Sequence, residues 1–286
     1  LNFNYLPDLS DDIKSGATDR SPLWPLIRQS SIRTILENSG YLTVAFETGF
    51  YWTELDNANV YLSDSETSAL QTGPIGGLNI FEAPFLKTTA ALIISDATIK
   101  LPRAVSDALN YPTRLHRERV LYDLEMLERM PATLETPKFV FAHIVSPHEP
   151  FVFGPNGEDI RLEDSLSRDE FVTAYRDQVH YLNQRLLDVV SQLISTSQTP
   201  PVIILQGDHG VASFSDEVRM KIFNAYYLPD AENSQPYSTI SPVNTFRIIL
   251  NSYFGNDFDL LEDTSYFSTY DDPYNFNVIS DLRSCG

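Results

Sequence analysis

Two runs of consecutive apolar residues, Phe139-Val140-Phe141-Ala142 and Val202-Ile203-Ile204-Leu205, constrain this chain more than any other feature. Each is too short for a helix and has the character of a strand covered on both faces. Between them lies a long amphipathic segment with Phe171, Tyr175, Val179, Leu182, Leu186, Val189 and Leu193 on one face. Ser167 and Glu170 stand at capping-box spacing before it, and Pro200-Pro201 ends it. Strands joined through helices of ten or more residues need crossover connections, so the pattern predicts a mostly parallel sheet.

The remaining segments extend this α/β reading. Ser21-Pro22 reads as an N-cap with proline at the first helical position. Leu26, Ile27, Ile32, Ile35 and Leu36 follow at helical spacing, and Gly40 stops the helix. Residues 42–46 and 222–228 read as further strands. Residues 85–99 and the segment marked by Leu121, Leu124 and Leu127, ending near Pro131, read as helices. Turn signals stand at Gly73-Pro74 and Gly76-Gly77. Ser241-Pro242 opens a last helix with Phe246, Ile249, Leu250 and Tyr253 inward, closed by Gly255; the tail after Asp257 is expected to wrap the surface. No linker divides the chain, so a single α/β domain over residues 1–286 is expected, with helices on both faces of the sheet.

Charge excludes several classes. Thirty-nine Asp and Glu against 20 Lys and Arg, a net −19, argue against nucleic acid, whose backbone is gripped by basic patches. The same balance argues against anchoring to anionic lipid, and no apolar run nears the roughly 18 residues a membrane span needs. The lone Cys285 provides neither a disulfide framework nor a paired-cysteine zinc site.

In open α/β sheets ligands bind beyond the carboxyl ends of strands. Both apolar runs end in residues suited to chemistry: His143-Ile144-Val145-Ser146-Pro147-His148-Glu149-Pro150 and Gln206-Gly207-Asp208-His209-Gly210. In a regular strand Asp208 and His209 would face opposite ways, but Gly207 and Gly210 can take backbone angles closed to other residues. Carboxylate and imidazole could then share one zinc or manganese ion. The plainer alternative is a turn in which Asp208 caps the next segment and His209 is a surface residue. His148, between Pro147 and Pro150, is placed to donate to an oxyanion or act as a general acid, or else is a loop histidine bonded to a nearby carboxylate. His143 reads as a core residue, His180 as a solvated residue or one that supports a site residue, and His116, among Arg114, Arg117 and Arg119, as surface.

Phe-Ala-His143-Ile-Val-Ser-Pro-His148-Glu-Pro-Phe, followed after one helix by Val-Ile-Ile-Leu-Gln-Gly-Asp208-His209-Gly, resembles the sulfatase-like branch of the alkaline phosphatase superfamily. The resemblance covers about residues 20–255. Residues 221–229 and 241–247 also look like segments of membrane-anchored sulfatase-like and phosphoglycerol-transferase-like proteins. It implies an alkaline-phosphatase-like fold and metal-assisted hydrolysis or transfer of a sulfate or phosphate ester. Asp208 and His209 match the late metal-ligand pair, for zinc, manganese or calcium, and His148 the substrate-contacting histidine. Asp-His rather than Asp-Asn is the phosphatase pattern, and no Cys/Ser-x-Pro-x-Arg sulfatase motif is present.

Such enzymes open with an acidic metal ligand on a strand, followed by a nucleophile at a helix N-terminus. The segment Leu1-Asn2-Phe3-Asn4-Tyr5-Leu6 looks like what comes just after that nucleophile. The expectation is therefore an N-terminally incomplete domain, the C-terminal part of a larger catalytic domain whose parent is membrane-anchored and places it outside the cytoplasm. The chain alone is expected to hydrolyse esters negligibly. The alternatives are an inactive sulfatase-like binding module, or a self-sufficient metallohydrolase that unites His143, His148, Asp208 and His209.

Overall fold

In a computed structural model of the chain, residues 1–13, 16–50, 52–64, 111–133, 136–162, 166–211, 215–231 and 235–279 are described. The expected helix at 85–99, the turn signals at 73–77 and Cys285 lie outside them. The fold is mixed α/β. Strand β1 (Leu42–Phe46) pairs in parallel with β2 (Val60–Leu62), Val44 facing Val60 and Phe46 facing Leu62. With β3 (Lys138–Phe141) they form a three-stranded parallel sheet in the order β2-β1-β3. The chain divides into two compact units: one of Leu1–Thr43, Thr136–Phe139 and Ser197–Gly286, the other of Val44–Glu135 and Val140–Thr196.

In the first unit, the helix expected from Ser21 to Gly40 is two helices. A 3-10 turn at Ser21–Leu23 runs into Trp24–Arg28, and a second helix spans Ser31–Asn38. The break carries backbone groups with no helical partner, and the Asn2 side chain serves them: its Nδ2 donates to Leu26 O at 2.7 Å and its Oδ1 accepts from Ser31 N at 2.8 Å. Ile32, Leu36 and Leu250 are buried together, with Phe3, Phe246, Phe254 and Phe258 against them.

The run at 202–205 forms β4 (Ile203–Gln206), but its partner β5 (Asn224–Tyr227) is antiparallel, Ile203 opposite Tyr227 and Gln206 opposite Asn224. Both strands are half-buried rather than covered on both faces. A continuous apolar run signals burial only where elements cover both faces; a two-stranded antiparallel ribbon leaves its strands partly exposed. Among the described residues the connection from β4 to β5 holds the short helix Asp216–Met220, and this antiparallel pair departs from the mostly parallel sheet expected.

The last helix, Pro242–Phe254, ends at Gly255 in the left-handed region, as expected. Its polar row Asn244, Arg247 and Asn251 grips the backbone of the tail. Asn244 exchanges bonds with Leu261 at 2.8 and 2.9 Å, Asn251 with Phe258 at 2.8 and 2.9 Å, and Arg247 donates to Asp259 O at 2.6 Å. Side chains spaced i, i+3, i+7 on a helix share one face, and here they supply partners to the backbone of residues 258–261, ahead of the short antiparallel pair Tyr266–Phe267 and Asn277–Val278.

In the second unit, helices Tyr111–Thr133 and Arg168–Thr196 pack together, Val120 and Leu124 of the first against Leu182 and Val189 of the second. The capping box forms as spaced: Ser167 N and Oγ donate to Glu170 Oε2 at 2.8 and 2.6 Å. The first helix continues through Pro131 to Thr133. Val44, Phe46 and Met130 make a second cluster with Val60, Leu62 and Leu127. Each fully buried aliphatic or aromatic side chain contributes about 1.5–3 kcal/mol, so these clusters hold β1 and its rim in place.

Candidate functional site

Asp208 and His209 sit in the turn that leaves β4. Gly207 N donates to Phe223 O at 2.9 Å, one step beyond the β4–β5 ladder, and Gly210 N donates to Arg219 O at 2.6 Å. The turn is thus closed against the segment that carries helix Asp216–Met220, itself N-capped by Ser215. Neither Gly207 nor Gly210 has a positive φ, so the expected reason for glycine is corrected. At Gly210 the reason is room: a Cβ there would lie 2.1 Å from Val218 O and 2.7 Å from Lys221 O. At Gly207 a Cβ would meet only ordinary contacts from 3.5 Å.

The turn does bring the two side chains together. Asp208 Oδ1 accepts from His209 N at 2.9 Å, and Asp208 Oδ2 lies 3.6 Å from His209 Nε2. His209 Nδ1 is 2.7 Å from Gly210 O. A carbonyl can only accept, so Nδ1 carries the hydrogen and Nε2 of the neutral ring is a lone pair. Oδ2 and Nε2 therefore face each other as two lone pairs unless a proton or a cation lies between them. Two atoms each about 2.1 Å from one ion are about 3.4 Å apart at the tetrahedral angle, close to this 3.6 Å spacing. Both residues are exposed. Among the described residues no group of three or more His, Cys, Asp or Glu could hold a metal ion.

His148 belongs to the second unit, in the loop that leaves β3, with the Ser146–Pro147 and Glu149–Pro150 bonds both cis. It is exposed, and its Nδ1 lies 2.6 Å from Glu149 O, which fixes the same tautomer and leaves Nε2 outward. The Phe50 ring meets it edge-on at 6.4 Å. The partner is a main-chain carbonyl, not the carboxylate of the plainer reading. His143 is half-buried just past β3, and His180 is exposed, with Gln184 Nε2 3.1 Å from its Nε2.

His116 corrects the expectation outright. It is 2% exposed, and with Arg119 and Asp123 it lies on the buried side of helix Tyr111–Thr133. Glu47 and Thr48, at the carboxyl end of β1, are buried with them in the same unit. Arg119 Nη2 lies 3.6 Å from Glu47 Oε1. The Arg119 guanidinium also occupies the space a side chain would need at Gly49, whose φ is +74° and whose Cβ would fall 2.3 Å from Nη1. Glu54 orders this rim, accepting from Gly49 N at 2.9 Å, Thr48 N at 3.1 Å and Tyr61 Oη at 2.6 Å.

Burial pushes the Asp123 carboxyl up to about 8; the Arg119 guanidinium opposes this, and the Glu47 and Glu54 carboxylates add to it. Burial pulls the His116 imidazole down to about 4, helped by the positive charges of Arg119 and His148. His116 Nε2, Arg119 Nε and Asp123 Oδ1 are buried without a hydrogen-bond partner. Reading the sequence missed this cluster, although residues 116, 119 and 123 share the helical phase of the apolar Leu115, Val120 and Leu124. That coincidence of polar and apolar phase was the available signal.

Comparison of the chain with family models, curated proteins and solved structures finds no match.

Proposed function

We propose that the chain serves metal-dependent hydrolysis or transfer of a sulfate or phosphate ester, within a sulfatase-like, alkaline-phosphatase-like arrangement having helices on both sheet faces. Asp208 and His209 would hold the divalent ion, and His148 would face the ester. One observation carries the reading: each imidazole gives its Nδ1 hydrogen to a main-chain carbonyl, at 2.7 Å for His209 and 2.6 Å for His148. Metal-ligating and substrate-facing histidines are commonly fixed in this way, with Nε2 turned outward.

A bound divalent ion would withdraw charge from an ester oxygen. Asp208 contributes Oδ2, since Oδ1 is engaged by the His209 amide, and His209 contributes Nε2. His148 Nε2 accepts a proton when neutral and donates to an ester oxygen when protonated. Two protein ligands are fewer than the three a catalytic zinc takes, which favours a second reading, a sulfatase-like module that binds an anionic ester without turning it over.

Calorimetric titration with zinc and with manganese tests the proposal. Saturable binding weakened at least tenfold by both Asp208→Ala and His209→Ala is expected, with circular dichroism unchanged. Binding that neither substitution weakens would refute the ligand assignment. Turnover of a nitrophenyl phosphate or sulfate by the chain, abolished in Asp208→Ala, would favour the self-sufficient metallohydrolase over the binding reading.

A further inference from the structure

We infer that Gln178 is a positioning residue for His148; the inference rests on the reading of His148 as the ester-facing imidazole. The loop from His148 to Phe153 is irregular, yet Phe151, Val152 and Phe153 at its end are 4%, 0% and 0% exposed. Backbone amides drawn inside with those side chains need partners. Gln178, on helix Arg168–Thr196 and 0% exposed, supplies them: its Oε1 accepts from Val152 N at 2.8 Å and Phe153 N at 3.2 Å.

Two N–H donors on one atom identify that atom as the oxygen, so the other end of the amide is Nε2. It donates to His148 O at 3.4 Å. One buried side chain thus ties the two ends of the loop, and the end it donates to is the main chain of His148. Arg117, from the neighbouring helix, holds only the far part: Nη1 donates to Val152 O and Nη2 to Gly157 O, each at 2.8 Å. Among the described residues the exposed imidazole has one polar contact, to Glu149 O, and that contact keeps its geometry while residues 148 and 149 stay where Gln178 ties them.

The test is the nitrogen-15 spectrum of the His148 ring in the full chain. Wild type is expected to show the Nδ1–H tautomer with well-separated ring-nitrogen shifts. Gln178→Glu, read at a pH where its carboxyl is ionised, keeps an acceptor for Val152 N and Phe153 N but loses the donor to His148 O, and its ring-nitrogen shifts are expected to move toward each other as the tautomers mix. Arg117→Met is expected to lower the melting temperature and leave those shifts in place. Unchanged shifts in Gln178→Glu, or equal movement in Arg117→Met, would overturn the inference. If Gln178→Glu does not fold, the uncharged Gln178→Met is read by the same criterion. In wild type the Gln178 side-chain amide hydrogens are expected to exchange slowly, and solvent-like exchange would also overturn the inference. Orthovanadate tests the underlying reading separately: His148 shifts that ignore it count against ester contact, while the tautomer comparison still decides the positioning role.

Discussion

The chain carries two groupings of acid and imidazole in opposite surroundings. At Asp208–His209 both side chains are exposed and held by the turn's own backbone. At His116–Arg119–Asp123 the side chains are buried beside Glu47, and polar atoms of all three helix residues lack partners. Exposure leaves lone pairs available to a ligand at little cost to folding. Burial makes the same groups govern stability, because each unpartnered polar atom loses its hydration, at about 1–3 kcal/mol. The first grouping is the better candidate for chemistry, the second for control of how the fold responds to mutation and pH.

The largest test of this contrast is Arg119→Met. It removes the Arg119 guanidinium from beside buried Glu47 and Asp123, and urea unfolding at neutral pH is expected to show a loss of about 3–5 kcal/mol. A loss below 1 kcal/mol, as for a surface pair, would erase the distinction. Gly210→Ala comes next, since its methyl group would press on two backbone carbonyls that cannot rotate away. A loss of about 1–3 kcal/mol is expected, against less than about 0.5 kcal/mol for Gly207→Ala.

The pH profile sharpens the comparison further. With its carboxyl raised to about 8, folded Asp123 keeps a proton that the unfolded chain releases near 4, so its contribution falls as pH rises between those values. With its imidazole lowered from 6.5 to about 4, folded His116 lacks a proton that the unfolded chain binds, so its contribution rises with pH across that window. The two oppose each other up to about 6.5. From there to about 8 the Asp123 decline, no steeper than about 1.4 kcal/mol per pH unit, is opposed by the Leu1 amino group, which burial holds below its ordinary 8.0. Urea midpoints measured from pH 6 to 8.5 should fall in wild type relative to Asp123→Asn, the difference isolating the Asp123 decline. The smallest expected effect is that of Asp208→Asn, within about 0.5 kcal/mol of wild type and with the decline intact.

Local signals were legible where the physics is local. The Ser167–Glu170 capping box, the Gly255 stop and the strand at Leu42–Phe46 follow from spacing and backbone preference alone. The convergence of Asp208 and His209 was also readable, since adjacent residues in a turn need no distant partner, although the role of Gly210 proved to be space rather than dihedral freedom. The break at residues 29–30 was hidden because Asn2, far off in sequence, supplies its hydrogen bonds. His116 was misread because neighbouring arginines suggest a solvated surface, whereas buried Glu47, just past β1, pairs with Arg119.

Order along the chain, helix ends and the pairing of neighbours were thus set by the sequence itself, since short-range sterics and hydrogen bonds are complete within a few residues. Which face of a helix is buried, whether β4 runs parallel or antiparallel to its partner, and which histidine loses its water were decided only in the tertiary structure. Those outcomes depend on partners brought from far along the chain, and burial and charge act through space.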